Sequence, residues 1–324
     1  MAKLQRGVLK LKKAIDWNSF RPVLEEVTGY KTKDWSKGGN LPFDPLLMVK
    51  ILILQSFHGL SDEATEFHIG DRISFINFLD IEMGDDIPDA NTIWDFKELI
   101  ERDQRDGSNK LFTCFRELLD AQGLVAKEGS IIDASFVETP KQRNTRDQNK
   151  QIKEGNRPEG FEKDTPKGAQ KDCDARWTKK NNKTHFGYKN HAKVYAKSKL
   201  IDSYATTTAS VHDSQVFEVL LDEKDKAVLS DSAYKSQTNE DILLKRNLED
   251  FTMLKANRNS PLSDEDQIYN KKVSRIRVRV EHVFGRMKHM KSDLFRRIGI
   301  KRASQHNALC NLTYNMDRYA SLQG

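Results

Sequence analysis

The chain holds 324 residues, 37% hydrophobic and 31% charged, with a net charge of +6 and a mean hydropathy of −0.71. Sixteen Phe, eight Tyr and four Trp are too many for a disordered chain, and the length suits about two domains. Cys114, Cys173 and Cys310 are too few and too scattered for a disulfide framework or a Cys-rich zinc module, and a cytoplasmic protein is expected. The start, MAKLQRGVLKLKK, lacks the apolar core of a signal peptide, and LLMVKILILQSF is short and interrupted by Lys50, so no membrane partner is expected.

Charge is distributed in blocks. Residues 1–40 carry net +5 and read as a basic arm with short helical pieces and the aromatics Trp17, Phe20 and Trp35. Residues 41–125 carry net −10. Within them, 44–58 predicts a buried helix with Asp44 as N-cap and Pro45 in its first turn. A second helical segment runs from Ser61 to Leu79, and a third contains Ile93, Trp94, Phe96 and Leu99 with Asp89 or Asn91 as its cap. A short helix over 110–122 ends at Gly123. Residues 1–125 therefore predict an all-helical domain with its basic arm.

Beyond 125 the pattern changes to an α/β domain covering 126–324. The segment 129–137 predicts a strand. Residues 138–182 are rich in Lys, Arg, Asn, Asp, Gly and Pro and read as a long, partly ordered basic insertion, either a solvated loop or a segment that folds on DNA with Trp177 stacking on a base. Paired strands follow over 185–196 and 200–210, then a helix at 216–223, a strand at 226–234, a helix at 239–247, a strand from 251, a long helix over 264–291 and a last helix over 304–322. Residues 139–200 carry net +10, 201–270 net −7 and 271–302 net +10. Three basic blocks separated by acidic ones suggest a polyanion held at defined surfaces.

Three carboxylates stand out. Asp133 follows Ile131 and Ile132 in the first strand, Asp231 follows Val228 and Leu229 near a later strand end, and Glu281 lies in the long basic helix. An Asp at a strand end is usually a turn or cap residue. Neighbouring carboxylates in an apolar sheet instead repel one another and are poorly solvated, which a bound cation relieves. Hard oxygen donors favour Mg²⁺, and two such ions could clamp an in-line phosphoryl transfer. On a helical wheel with Glu281 at zero, Arg277 falls at about −40° and Lys288 at about −20°, with Ser274 and Gly285 close by. Val273, Ile276, Val280, Val283 and Met287 share one side; Lys272, Arg275, Arg279 and Arg286 share the far side. An i,i+4 ion pair explains Arg277 and Glu281 but not the surrounding basic density. His212 and Asp213 either cap the next helix or contact metal or DNA.

At these residues the sequence resembles the DDE insertion-sequence transposases, in the group named after insertion sequence five. The C-terminal signature of that superfamily is Tyr, two residues, Arg, three residues, Glu, six residues, Lys. Arg277, Glu281 and Lys288 match it, while Ser274 stands at the Tyr position, a departure that bears on ring contact to DNA and not on metal binding. IIDASFV and VLSDSAYKS resemble the first-Asp and second-Asp blocks, VHDSQVF the block before the second, and PFDPLLMVKILILQ through IPDANTIWDFKELIE the amino-terminal domain. The resemblance covers about residues 40–320.

It implies an RNase H-like mixed sheet flanked by helices, with Asp133, Asp231 and Glu281 as catalytic and metal-binding triad for two Mg²⁺ ions, Mn²⁺ being able to substitute. The β-rich insertion that some relatives carry between the second Asp and the Glu is absent here. The implied function is a transposase that binds terminal inverted repeats, cuts the element ends and joins the 3′-OH strands to target DNA. Its partners are double-stranded DNA and further copies of the chain, as a dimer or larger assembly in the bacterial nucleoid. Arg277, Lys288, Arg275, Arg279, Arg286, Lys291, Trp177 and His212 are the expected DNA contacts. A helix-turn-helix reader is expected near the amino terminus, yet net −10 over 41–125 shifts phosphate contact to the arm at 1–40. An RNase H-like endonuclease without strand transfer and a domesticated DNA-binding regulator remain as alternatives.

Overall fold

The computed structural model describes residues 7–30, 41–125, 129–180, 182–256 and 261–323. Residues 1–6 and 31–40 of the arm, with Trp35, lie outside the described residues. The chain divides into two compact units: 1–124 with 289–291 and 308–324, and 125–288 with 292–307.

The first unit is helical: α1 (Val8–Ala14), α2 (Arg21–Thr28), α3 (Pro45–His58), α4 (Asp62–Asp71), α5 (Ile73–Leu79), α6 (Ala90–Glu101) and α7 (Gly107–Ala121). Caps set the boundaries. Asp44, Ser61 and Asp89 each accept a backbone N–H of the first turn, from Leu46 at 2.8 Å, Ala64 at 3.2 Å and Thr92 at 2.7 Å. Gly59 ends α3 at φ +60; a Cβ there would meet the Lys291 side chain and the Met290 carbonyl at 2.8 Å. The segment predicted as one helix over 61–79 breaks at Arg72, whose extended backbone separates α4 from α5. Helix α3 is buried almost all round, Lys50 included, whose ammonium pairs with Asp80 at 2.6 Å and lies 5.6 Å from the Trp17 ring.

The second unit is a six-stranded mixed sheet with helices: β1 (Ser130–Glu138), α8 (Arg146–Lys153), β2 (Arg176–Lys180), β3 (Lys183–Tyr195), β4 (Ile201–Thr208), α9 (Phe217–Leu220), β5 (Ala227–Ser230), α10 (Gln237–Lys245), β6 (Glu249–Thr252), α11 (Asp264–His289) and the start of α12 (Ile300–Leu322). The order β2-β3-β1-β5-β6 places β1 centrally, with β4 also on β3. The pairs β1–β3, β2–β3 and β3–β4 are antiparallel; β1–β5 and β5–β6 are parallel. One core joins Ile132 and Val228 to Val216, Phe217, Leu220, Tyr234 and Leu243. Another joins Val137, Phe186 and Tyr188 to Ala175, Phe295 and Ala303. No helix among the described residues is long and apolar enough to cross a membrane.

Two expectations need correction. The predicted strand 226–234 ends at Ser230, because Asp231 turns the chain into a 3₁₀ turn over Ser232–Tyr234. The basic insertion is not a solvated loop. Its helix α8 opens on a capping box between Thr145 and Gln148, β2 joins the sheet, and Phe161 is fully buried. Asp172, also buried, anchors it: its carboxylate accepts the Tyr188 hydroxyl at 2.7 Å and the N–H groups of Asp174, Ala175 and Gly299. Low apolar content hid this order because polar bonds do the tethering.

Candidate active site

Strands β1 and β5 run parallel, and their last paired residues are Ile132 and Ser230. Asp133 and Asp231 are the next residue on each, so the two carboxylates share one level and, by strand alternation, one face. They sense each other: burial raises the Asp133 pKa, Arg277, the Ala134 N–H and Lys180 draw it back, and the Asp231 charge pushes it up further. The Asp133 Oδ1 accepts the Ala134 N–H at 2.8 Å, and Oδ2 pairs with the Arg277 guanidinium at 2.9 Å. Asp231 caps the turn that follows it, accepting the Ser232 N–H at 2.6 Å.

Arg277 comes from α11, and its Nε is buried without a hydrogen-bond partner among the described residues. Glu281 stands exposed one turn further along. Among the described residues no three His, Cys, Asp or Glu side chains gather closely enough to hold a metal ion. The two aspartates and Arg277 are thus brought together, and Glu281 is not grouped with them. Arg275, Arg279 and Lys288 are exposed on α11, Arg279 donating to the Ala196 carbonyl at 2.8 Å; Arg286 is half-buried, and Lys291 is exposed after the helix. Trp177, 37% exposed on β2, packs 4.7 Å from the Phe186 ring. His212 caps the turn Asp213–Val216 through Nδ1.

Sequence reasoning passed over a second set of polar side chains nearby. Lys189, His191 and Lys193 alternate along β3, all buried. Lys189 Nζ pairs with Asp213 at 2.8 Å and donates to the Val211 carbonyl at 2.7 Å. His191 has its pKa lowered to about 4, chiefly by burial, with Lys189 and Lys180 adding and Asp213 opposing. The readable signal was three titratable residues at period two in a central strand, where apolar residues are the rule.

The family comparison agrees with the chemistry of this pair. The family model described as Transposase DDE domain matches residues 126–316, and the chain belongs to that family: it is a DDE-type transposase of a mobile element. A second family model, Transposase domain (DUF772), matches residues 5–99. No solved structure matches the chain significantly. DDE transposases generally use divalent metal ions. The donor set at Asp133 and Asp231 fits such an ion: two neighbouring hard-oxygen ligands, one desolvated, and a single guanidinium against two carboxylates.

Proposed function

We propose that this chain belongs to the group named after insertion sequence five, and that it binds terminal inverted repeats, cleaves the element ends and transfers the 3′-OH strands to target DNA. The reading takes 1–125 as a DNA-binding and dimerisation domain and 126–324 as an RNase H-like catalytic domain. What carries it is the meeting of Asp133 and Asp231 at one level of adjacent parallel strands, with Arg277 on Asp133. A sheet in which β1 to β4 pair antiparallel and β5 and β6 continue it in parallel from β1 supports the RNase H-like assignment.

Asp133 and Asp231 would hold divalent ions, Mg²⁺ or Mn²⁺ in its place, and Glu281 would join them in the DNA-bound state. When bound, two such ions supply charge neutralisation at the attacking and leaving oxygens. Arg277, one hydrogen bond from Asp133, and Lys288 hold backbone phosphates in register. Arg275, Arg279, Arg286 and Lys291 add sequence-independent attraction, Trp177 offers a stacking face, and His212, which caps the turn that begins at Asp213, adds a DNA contact. In the first step a water attacks phosphorus and displaces the 3′-oxygen, which leaves as a 3′-OH; in the second that 3′-OH attacks a target phosphodiester and displaces the target strand's 3′-oxygen, with no covalent intermediate on the protein. Two ends held together require a dimer or larger assembly.

The test incubates purified protein with Mg²⁺ and inverted-repeat duplexes and looks for nicks and joined products. Loss of both in Asp133→Ala, Asp231→Ala and Glu281→Ala is expected. Cutting without joining would make the chain an endonuclease, and binding alone a regulator.

A further inference from the structure

Strands β2 and β3 outrun the sheet. β1 keeps register with β3 only as far as Glu138, opposite Gly187, and the Thr139 N–H adds one bond to the Phe186 carbonyl at 3.0 Å. β4 joins β3 no earlier than Tyr188. From Thr178 and His185 out to Lys180 and Lys183, the two strands therefore pair only with each other among the described residues. Gly187 lets this ribbon leave the sheet: its φ is +142, and a Cβ there would collide with the Val137 carbonyl oxygen. The root of the ribbon is fixed. The His185 ring stacks on Phe136 at 4.0 Å, with its Nδ1 2.6 Å from Glu138 Oε1. The Arg176 guanidinium donates to the Cys173 and Ile152 carbonyls, each at 2.7 Å.

The tip is different. Lys179, Lys180, Asn182, Lys183 and Thr184 are all exposed, and the stretch from Arg176 to His185 contains no acidic residue. By strand alternation Lys179 projects from one face of the ribbon, and Lys180 and Lys183 from the other. A free two-stranded hairpin is marginal in water. Here the fixed root holds one out in solvent with lysines on both faces, an arrangement complementary to a polyanion. Its width suits the major groove of a duplex, which admits a two-stranded ribbon and is walled by phosphates on both sides. Lysines on open strand edges also guard against strand addition, which is the competing explanation. The tip is within electrostatic reach of the chemistry, because the Lys180 charge draws the Asp133 pKa down.

We propose that the β2–β3 ribbon is a contact for duplex DNA, with Lys179, Lys180 and Lys183 meeting backbone phosphates. The proposal rests on the reading of this chain as one that binds and cuts DNA. A lysine is a point charge on a flexible stem and meets a phosphate whatever the neighbouring base. The ribbon therefore positions the duplex and leaves the choice of sequence to other parts of the chain.

The experiment measures binding of the full chain, without divalent ions, to a fluorescein-labelled duplex of arbitrary sequence, by anisotropy at several salt concentrations. The parent binds. The triple variant Lys179→Gln, Lys180→Gln, Lys183→Gln melts at the parent temperature and loses about 2.7 from the slope of log affinity against log salt, about 0.9 for each phosphate contact. A matched variant, Lys141→Gln, Lys150→Gln, Lys153→Gln, removes the same charge from exposed positions of the insertion outside the ribbon and keeps the parent slope. A parent slope in the ribbon variant, or an equal fall in the matched one, overturns the proposal and leaves the DNA-cleavage reading standing. Self-association of a ribbon variant that keeps the parent slope assigns the lysines to edge protection instead. Should the triple variant melt early, Lys180→Gln alone decides, by a slope change of about 0.9 or none. A parent that binds no duplex removes the DNA-cleavage reading and the proposal together.

Discussion

Two pairs of carboxylates sit in the sheet unit, each with one strong cation, and they differ in what else satisfies them. Lys193, fully buried, joins Asp202 at 2.7 Å and Asp225 at 2.8 Å. Asp225 also accepts the Ser130 hydroxyl and the Asp222 N–H, so the group is sealed from solvent. Asp133 of the second pair meets Arg277, and that ion pair keeps 17% and 12% side-chain exposure at Asp133 and Arg277. The first group is structural because its valences are filled and out of reach. The second is the candidate site, because its charges are less completely paired and less sealed.

That contrast can be broken in several places. The largest expected effect is on chemistry: Asp133→Asn and Asp231→Asn lose end cleavage by about 10³-fold or more, as expected when an electrostatic contributor to the reacting centre is removed. The fold survives, because the desolvated Asp133 charge is itself a cost. Gel assays of cleaved ends beside urea melts would check both halves. The sealed group predicts the converse. Lys193→Met leaves Asp202 and Asp225 buried without their cation and costs about 3–5 kcal/mol of stability in equilibrium denaturation, whereas Arg277→Met, at an accessible pair, costs less and abolishes cleavage.

Acid sharpens the comparison next. His191 in the folded chain titrates near 4 against 6.5 when unfolded, so its contribution is complete above about pH 6.5 and is lost as pH falls towards 4. The loss amounts to at most about 3 kcal/mol. Asp133, raised mainly by burial, works the other way and gains stability on protonation. Stability measured from pH 7 to 4.5 should therefore fall, and fall less in His191→Gln. His58, lowered to about 4 mainly by burial, retains a smaller acid loss in the His191 variant because it is only half-buried. The smallest effect belongs to the exposed basic face: Arg275→Ala lowers DNA affinity a few-fold and reduces the salt slope by about one, measured by titration at several salt concentrations.

Much of this was legible in the residues. Period and caps gave the helices of the first unit, since Asp44 with Pro45, Ser61 and Asp89 are local signals. The break at Arg72 was not legible, because apolar residues continue at helical spacing across it. The aspartates could be found because each closes an apolar run, Asp133 within β1 and Asp231 just past the end of β5. Glu281 was read from a linear signature, which fixes residue order along a helix but not its distance from a sheet. Asp213, Lys189 and His191 went unnoticed as a group because their meeting depends on which strand lies beside which, and the ordered insertion because hydrogen bonds to Asp172 leave no hydrophobic trace.

The last helix carries a consequence for how the chain is made. Leu312, Met316 and Tyr319 are buried with the amino-terminal helices, Tyr319 stacking edge-on to Phe115 at 5.9 Å and donating its hydroxyl to Gln122, while Lys10 pairs with Asp317 at 2.7 Å. The amino-terminal helices thus lack part of their own interior until residues 308–322 have been made, so a stop codon before 308 yields a product whose helical unit is unfinished.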